Sequence, residues 1–488
     1  MNILLPLFII VPLAAAFIMI PAARLSRKLP EIISFLATLY LLGATIALYW
    51  SRPSNLMLQY KFGVNLVLDG LSQLLLLAVT VVAFFVTIYS FSYMQKYTGR
   101  EKYYTLYFLM LAGMAGVILT GDLFSLFVFL EMAAISTYAL VAFGTQAEEL
   151  EASIRYLIIG SVASLMILFG IGLVYALTGT SNLAEISRHL PANANFAKGF
   201  ITALFLAGFG MKAALVPFHS WLPDAHTAAP APISATLSGV LIKALGIYAI
   251  VRIIYNVLGI SPQISLILMV LGIVSILAGV LLALWQWDFK RLLAYHSISQ
   301  IGYVVLGVGL ATPLGIMGGL FHLLNHAIFK SLLFLNAGAI EHQAGTRDLK
   351  QMGGLSRKMP VTAATSLIAS MSIAGVPPFN GFWSKLFIIL ACIQAGKLWF
   401  ALAAIIGSIL TLSSFLKVQK YAFFEKVKQG FEDLRDAPWP MCAAMIVLAL
   451  LCLLVGLLLP YAVGIVINPA VVALMNGLGY SRMILGGQ

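Results

Sequence analysis

Charge is what this chain lacks most. Of its 488 residues only 9% are Asp, Glu, Lys or Arg, where a soluble domain carries roughly 25%. The hydrophobic fraction is 61% and the mean hydropathy +1.00. Nearly the whole sequence can be laid into apolar stretches of about 20 residues, each long enough to cross a bilayer. The expected fold class is therefore an all-α polytopic membrane protein, and division into globular domains of ordinary size is excluded.

Cysteine is also scarce. Cys392, Cys442 and Cys452 are scattered through apolar segments, with no Cys-x-x-Cys and no cluster. An iron–sulfur cluster or structural zinc held by this chain alone is not expected. No Walker loop and no Gly-x-Gly-x-x-Gly following a strand is present, so no nicotinamide, flavin or ATP fingerprint exists. No cofactor is expected. The formal charge of +12 speaks for membrane topology rather than for nucleic acid, because basic residues in short loops stay cytoplasmic. The first apolar run, Ile3 to Pro21, has its positive charges (Arg24, Arg27, Lys28) after it. A cleavable signal carries them before.

The predicted spans are 2–21, 30–50, 68–94, 104–120, 122–143, 153–177, 199–223, 232–258, 264–286, 291–310, 314–340, 361–394, 397–416 and 440–467. Assigning the loops alternately to two sides places 18 Lys and Arg on one side and 7 on the other. The richer side is read as cytoplasmic, with both termini outside. Basic residues near span ends, Arg155, Arg252, Lys290, Arg291 and Lys397 among them, are counted with the loops in that split, which leaves four of the 29 deeper in the spans: Lys212, Lys243, Lys330 and Lys385. Glu131 joins them, nine residues after Asp122, about 13 Å along a helix.

There is an internal echo. "VPFHSW" at 216–221 resembles "PPFNGFW" at 377–383, an offset of 161 residues, and the fourth and ninth spans start about as far apart. A five-span repeat fits both offsets, and an odd number of spans inverts the second copy. Inverted repeats are a transporter architecture with sites at discontinuous helices. Prolines in both segments break the helical ladder, and exposed backbone at membrane depth is tolerated only against protein or a water-filled cavity.

Five charged groups at helix centres, uncompensated, would cost on the order of 10–15 kcal/mol, which rivals the whole stability of a typical protein. They must pair, hydrate or change protonation state. Plainer readings exist for each. Lys243 can snorkel, and Glu131 can form a fixed salt bridge with Lys212. Lys212 precedes the break at Pro217 and Lys385 follows the one at Pro377–Pro378, so both can face hydrated backbone and exchange a proton. In "HLLNHAIFKSLLFL" the residues His322, His326 and Lys330 recur every fourth position, about 6 Å apart along one helix face. One or two waters can bridge such gaps, and histidine titrates near neutral pH. The alternatives are satisfied core histidines, or zinc on His-x-x-x-His; with no third ligand nearby, no metal is expected. His219, Asp224 and His226 in "HSWLPDAH", and His296 in "RLLAYHSISQIGY", are candidate entry or exit groups, or caps of broken helix ends.

The stretches "FLEMAAISTYALVAF" (129–143), "GMKAALVPFHSWLPDAHTAAPAPISA" (210–235), "DFKRLLAYHSISQIGY" (288–303) and "HLLNHAIFKSLLFLNAGAI" (322–340) resemble the antiporter-like membrane subunits of respiratory complex I, of Mrp-type cation/proton antiporters and of energy-converting membrane-bound hydrogenases. The resemblance covers roughly residues 65–420. It implies about fourteen helices in two inverted five-helix repeats (TM4–8 and TM9–13), with the seventh and twelfth discontinuous. The implied sections are 1–103, the repeats at 104–258 and 259–420, and 421–488 with the last helix. Protons then move along a central axis on which Glu131 matches the glutamate of helix 5, and Lys212 and Lys243 the lysines of helices 7 and 8. His322, His326 and Lys330 match the polar row of helix 11, and Lys385 the charged residue of helix 12. Some subunits of the family carry glutamate at that last position. With lysine there and no long extension after the last span, the chain looks less like the distal complex I subunit than like the D-type member of a Mrp system or a hydrogenase or complex I-like counterpart. The implied partners are further membrane subunits, antiporter-like ones among them, the lipid bilayer and protons, with Na⁺ as an alternative ion. The implied location is a prokaryotic cytoplasmic membrane. No redox cofactor is implied.

Overall fold

The computed structural model describes residues 4–51, 56–59, 65–190 and 195–485. Arg52 and Lys61, counted above on the outer side, lie outside the described residues. Among the described residues twelve helices are long and apolar enough to cross a bilayer, or thirteen if a C-terminal pair bent by 96° counts as one. The twelve coincide with twelve of the predicted spans. The other two predicted spans are interrupted helices. Asn195–Lys212 is followed after a break by Trp221–Ala228, and Pro360–Ala374 by Asn380–Gln394.

Local chemistry sets the ends. Asp69, Asp122, Ser261, Asp288 and Thr312 cap the following helices through backbone N–H groups three residues on, which satisfies donors that a helix start leaves open. Pro262 and Pro313 occupy first helical positions, where the missing N–H costs nothing. Gly179 and Gly345 close the 32-residue helices Ala147–Thr178 and Pro313–Ala344 at φ 72° and 69°, a left-handed conformation that suits glycine.

The layering follows the bilayer rather than water. Several spans present more than half of their residues outward, among them Leu29–Ser51, Pro262–Leu284 and Leu398–Phe424. Ala231–Leu258, which carries Lys243, is buried throughout; Pro313–Ala344, which carries the 322–330 row, is buried from Gly318 to Ile340, and Phe289–Gly309 is buried along nearly all its length. Lipid tails are as apolar as leucine, so such helices associate through close packing and polar contacts. Helices Pro262–Leu284 and Phe289–Gly309 cross where a Cβ on Gly302 would lie 2.5 Å from the Gly272 carbonyl oxygen, and one on Gly279 2.6 Å from the Ser299 nitrogen. Only glycine permits that approach. The Ala231–Leu258 helix is widened into π-turns at Leu237–Leu241, Lys243–Tyr248 and Ile254–Leu258, a feature that marks functional helices.

Three features depart from the sequence reading. A two-stranded antiparallel hairpin pairs Leu56–Gln59 with Asn65–Leu68, in a stretch read as loop. The last predicted span ends at Leu457, not 467, and the chain continues as Leu459–Met475 and Gly477–Leu485; the apolar run is unbroken, so hydropathy cannot see the bend. Arg252 and Lys290, counted as loop residues, are 1% and 2% exposed. Both lie near span ends, where a long basic side chain can reach water or turn inward at similar cost.

Candidate functional site

The first break positions Lys212. Pro217 has no N–H to continue the helix, and Val216 N–H donates instead to Ser275 Oγ at 3.1 Å. Trp221, just past the break, donates its indole N–H to the Met211 carbonyl at 3.0 Å, an acceptor it shares with the Ala214 N–H at 3.1 Å. Lys212 is the last residue of its helix, and its side chain is 3% exposed. Its Nζ lies 3.3 Å from Glu131 Oε1 and 3.3 Å from Tyr138 Oη. Ser164 donates its hydroxyl to the same carboxylate oxygen. Glu131 itself is 26% exposed, so the pair sits where a buried cation meets an accessible carboxylate.

The other three lysines have no ion-pair partner among the described residues. Lys243 donates to the Ser238 carbonyl at 2.6 Å and to that of Gly239 at 2.5 Å, both one turn before it, and is 0% exposed; it does not snorkel. Lys330 donates to the Leu293 carbonyl. Lys385, five residues after the second break ends at Asn380, donates to the Ile373 carbonyl at 2.8 Å and to Ser408 Oγ at 3.3 Å. Carbonyls and hydroxyls accept from an ammonium but supply no opposite charge. A proton held at any of these three is compensated by dipoles only, and a stable buried charge requires more than that.

The histidines connect these positions. His322 and His326 stand 6.4 Å apart with rings 11° from parallel. His322 Nδ1 is 2.9 Å from Ser384 Oγ, the residue before Lys385, and Nε2 is 3.2 Å from Gln300 Oε1. The Tyr303 ring lies 5.5 Å from the His322 ring and 4.7 Å from Lys385 Nζ. The His322 end of the row thus meets the neighbourhood of Lys385. Neither ring nitrogen of His326 has a hydrogen-bond partner among the described residues, and His326 is within Coulombic range of Lys243, Lys330, His322 and His226. Lys330 forms the other end. Its Nζ lies 5.5 Å from the Phe334 ring, on which His226 stacks at 4.6 Å. His296 is buried in the second turn of its helix, 2.8 Å from Ser414 Oγ.

"HSWLPDAH" does not act as one cluster. His226 joins the buried line and His219 stays half-buried. Asp224 turns away to ion pairs with Arg155 and Arg291, each at 3.0 Å. Two buried pairs lie beyond the sequence reading. Lys290 meets Glu341 at 2.9 Å and the Ala229 carbonyl at 3.1 Å. Arg252 grips Asp69 with two bonds of 2.6 and 2.8 Å. A charge within a few residues of a span end is the available signal for both. Among the described residues no three His, Cys, Asp or Glu side chains gather as a metal centre requires.

Residues 120–411 match the family model described as NADH:quinone oxidoreductase/Mrp antiporter, TM, and residues 56–104 the model described as NADH-Ubiquinone oxidoreductase (complex I), chain 5 N-terminus. The chain is 37% identical over 374 residues to the N-type subunit of the NADH-quinone oxidoreductase of Desulforudis audaxviator, covering 75% of this chain and 74% of the relative. It is 35% identical over 469 residues to the D-type subunit of the Na(+)/H(+) antiporter of Alkalihalophilus pseudofirmus, covering 93% and 94%. A chain in the structure of the Mrp complex from Dietzia sp. superimposes with a TM-score of 0.92 at 29% identity, over 100% of both chains.

Proposed function

The chain belongs to the NADH:quinone oxidoreductase/Mrp antiporter membrane family, and on that premise we propose that it is a proton-translocating, antiporter-like subunit of a multi-subunit energy-converting membrane complex, with no redox chemistry of its own. In this reading the complex is complex I-like or a membrane-bound hydrogenase and includes further antiporter-like subunits. It lies in a prokaryotic cytoplasmic membrane, with both termini outside. The repeats are 104–258 and 259–420, flanked by 1–103 and 421–488. Cytosolic protons load Lys212 or Lys243, and the Glu131–Lys212 pair gates the transfer. The row on the Pro313–Ala344 helix passes the proton to Lys385 and on to the outer side. His219, Asp224, His226 and His296 serve entry and exit, with His226 and His296 inside the protein and Asp224 in ion pairs with Arg155 and Arg291.

The observation that carries this reading is the join between the row and the second break: His322 bonds to Ser384 at 2.9 Å, beside Lys385. A static ion-pair scaffold has no need of it. Replacing His322 and His326 together by leucine keeps the site filled with apolar side chains and removes the relay. Proton uptake by inverted membrane vesicles, followed by dye quenching in the assembled complex, is then expected to fall about 100-fold, the low end of what a removed proton-transfer group costs. Uptake at the normal rate would sink the relay.

A second reading is a D-type subunit of a Mrp Na⁺/H⁺ antiporter that works without electron transfer. It draws on the end-to-end match to the Mrp chain and on the antiporter relative aligned over 94% of its length. Purification of the intact complex separates the two. Hydrogenase or quinone-reductase subunits are expected with the chain under the first reading; only small cation-antiporter subunits, and Na⁺-dependent proton movement, would replace it by the second.

A further inference from the structure

Lys212 is held by two groups on one helix, and the two are chemically unlike. Glu131 Oε1 and Tyr138 Oη stand at the same 3.3 Å from its Nζ, seven residues apart, or about two turns. A carboxylate accepts from an ammonium and attracts its charge, but it has no proton to offer an uncharged amine. A phenol works in both states: its oxygen accepts from the ammonium, and its O–H donates to the amine lone pair. Among the described residues the Tyr138 hydroxyl has no other hydrogen bond, so its O–H is available for that second use.

The hydroxyl is also fixed in position. The Tyr138 ring packs edge-on against Tyr156 at 4.5 Å and 89°, and Tyr156 stacks flat on Trp221 at 4.1 Å and 2°. Trp221 bonds to the carbonyl of Met211, the residue before Lys212. The aromatic stack therefore runs from the phenol back to the backbone that carries the lysine. Space for the hydroxyl comes from Gly160, where a Cβ would lie 2.0 Å from Tyr138 Oη.

We propose that Tyr138 is a positioning residue for proton transfer, one that holds the Lys212 amine in place after its proton has left. The ammonium gives its proton to the next carrier and becomes an amine. Tyr138 then turns its O–H toward the nitrogen and keeps its own proton. When Lys212 is reloaded, the phenol oxygen accepts again. Lys212 thus stays beside Glu131 through the cycle instead of swinging into the break. This role of Tyr138 rests on the proton path proposed above.

The test uses the whole complex in inverted membrane vesicles, with Tyr138→Phe, Gly160→Ala and ring-fluorinated tyrosines placed at position 138. Tyr138→Phe is expected to assemble fully and to translocate protons about tenfold more slowly, the size of effect one lost hydrogen bond produces. Gly160→Ala, which displaces the hydroxyl, is expected to match it. The fluorinated rings keep the packing and change the donor strength of the O–H, so rates graded with phenol acidity are expected; a purely structural tyrosine gives a flat series. A flat series, or Tyr138→Phe at the normal rate, overturns the inference. Lys212→Ala run in parallel tells the two failures apart. Normal transport in that variant removes the path itself, whereas its loss beside a normal Tyr138→Phe removes only the role of the phenol. If Gly160→Ala fails to assemble, Tyr138→Phe and the fluorinated series decide alone.

Discussion

Lys212→Ala is expected to abolish ion-coupled transport while the complex still assembles and its partial reactions continue, and Glu131→Ala is expected to do the same. The size of this effect follows from the position of the pair. Lys212 is the only one of the four buried span lysines with a carboxylate partner among the described residues, so only there can a proton's charge be balanced while it waits. Removing a group that takes and gives the proton costs about 10²–10⁴-fold in comparable proton-transfer steps. Assembly survives for a separate reason. Glu131 is 26% exposed and keeps its bond from Ser164, so losing Lys212 does not strand a fully buried charge; in Glu131→Ala, Lys212 keeps Tyr138 Oη as a partner and can shed its proton rather than remain a buried, unpaired charge. Glu131→Gln is the milder case. It preserves an acceptor for Lys212 and Ser164 but not the charge, and transport should fall by roughly tenfold rather than vanish. Dye-quenching assays on vesicles, normalised to the amount of assembled complex, measure both; pumping at the normal rate in the alanine variants would end the gating role of the pair.

The second large effect is on stability. Arg252→Ala should destabilise the protein by about 3–5 kcal/mol, the range for breaking a buried ion pair from one side. Asp69 is 1% exposed as a residue and its side chain is fully enclosed. It already accepts from Ser72 N–H at 2.9 Å to cap the Gly70–Tyr93 helix. Without the guanidinium its second oxygen is left buried and charged. The guanidinium also bonds to Asn256 at 3.2 Å and lies 5.3 and 5.2 Å from the rings of Tyr248 and Tyr480. Asn256 in turn bonds the carbonyls of Ala473 and Gly477, so the same change loosens the C-terminal bent helices. The double variant Arg252→Met with Asp69→Asn should recover most of the loss, because asparagine still caps the helix and no charge remains unpaired. Thermal unfolding of the detergent-purified complex reads both variants. An Arg252→Ala protein as stable as the parent refutes the account.

The two pairs differ in how far the chain announces them. Glu131 and Lys212 stand out as charges deep in apolar runs, and their pairing is one of the readings open from sequence. Arg252 and Lys290 are equally charged, but each lies close to a span end, where snorkelling and burial are hard to tell apart by position. Tyr138 carries no signal at all. A tyrosine in an apolar span reads as packing, and only its neighbours, Gly160 and Lys212 among them, make the hydroxyl more than that. The hairpin at 56–68 escapes for a different reason, since four-residue strands beside long apolar spans look like their connecting loops.

The sequence by itself determined the solvent this protein folds in, the course of its long apolar helices, the two prolyl breaks and the row 322–330. Each of these follows from a local cost, either of charge in hydrocarbon or of a missing N–H in a helix. Tertiary structure alone decided which carbonyl or carboxylate meets each buried ammonium, and that Lys330 and His226 share the Phe334 ring while His322 meets Ser384 beside Lys385. It also decided that Arg252 turns inward to Asp69. Those choices depend on which helix faces are neighbours, and contacts between residues as far apart as 69 and 252 leave no periodic trace along the chain.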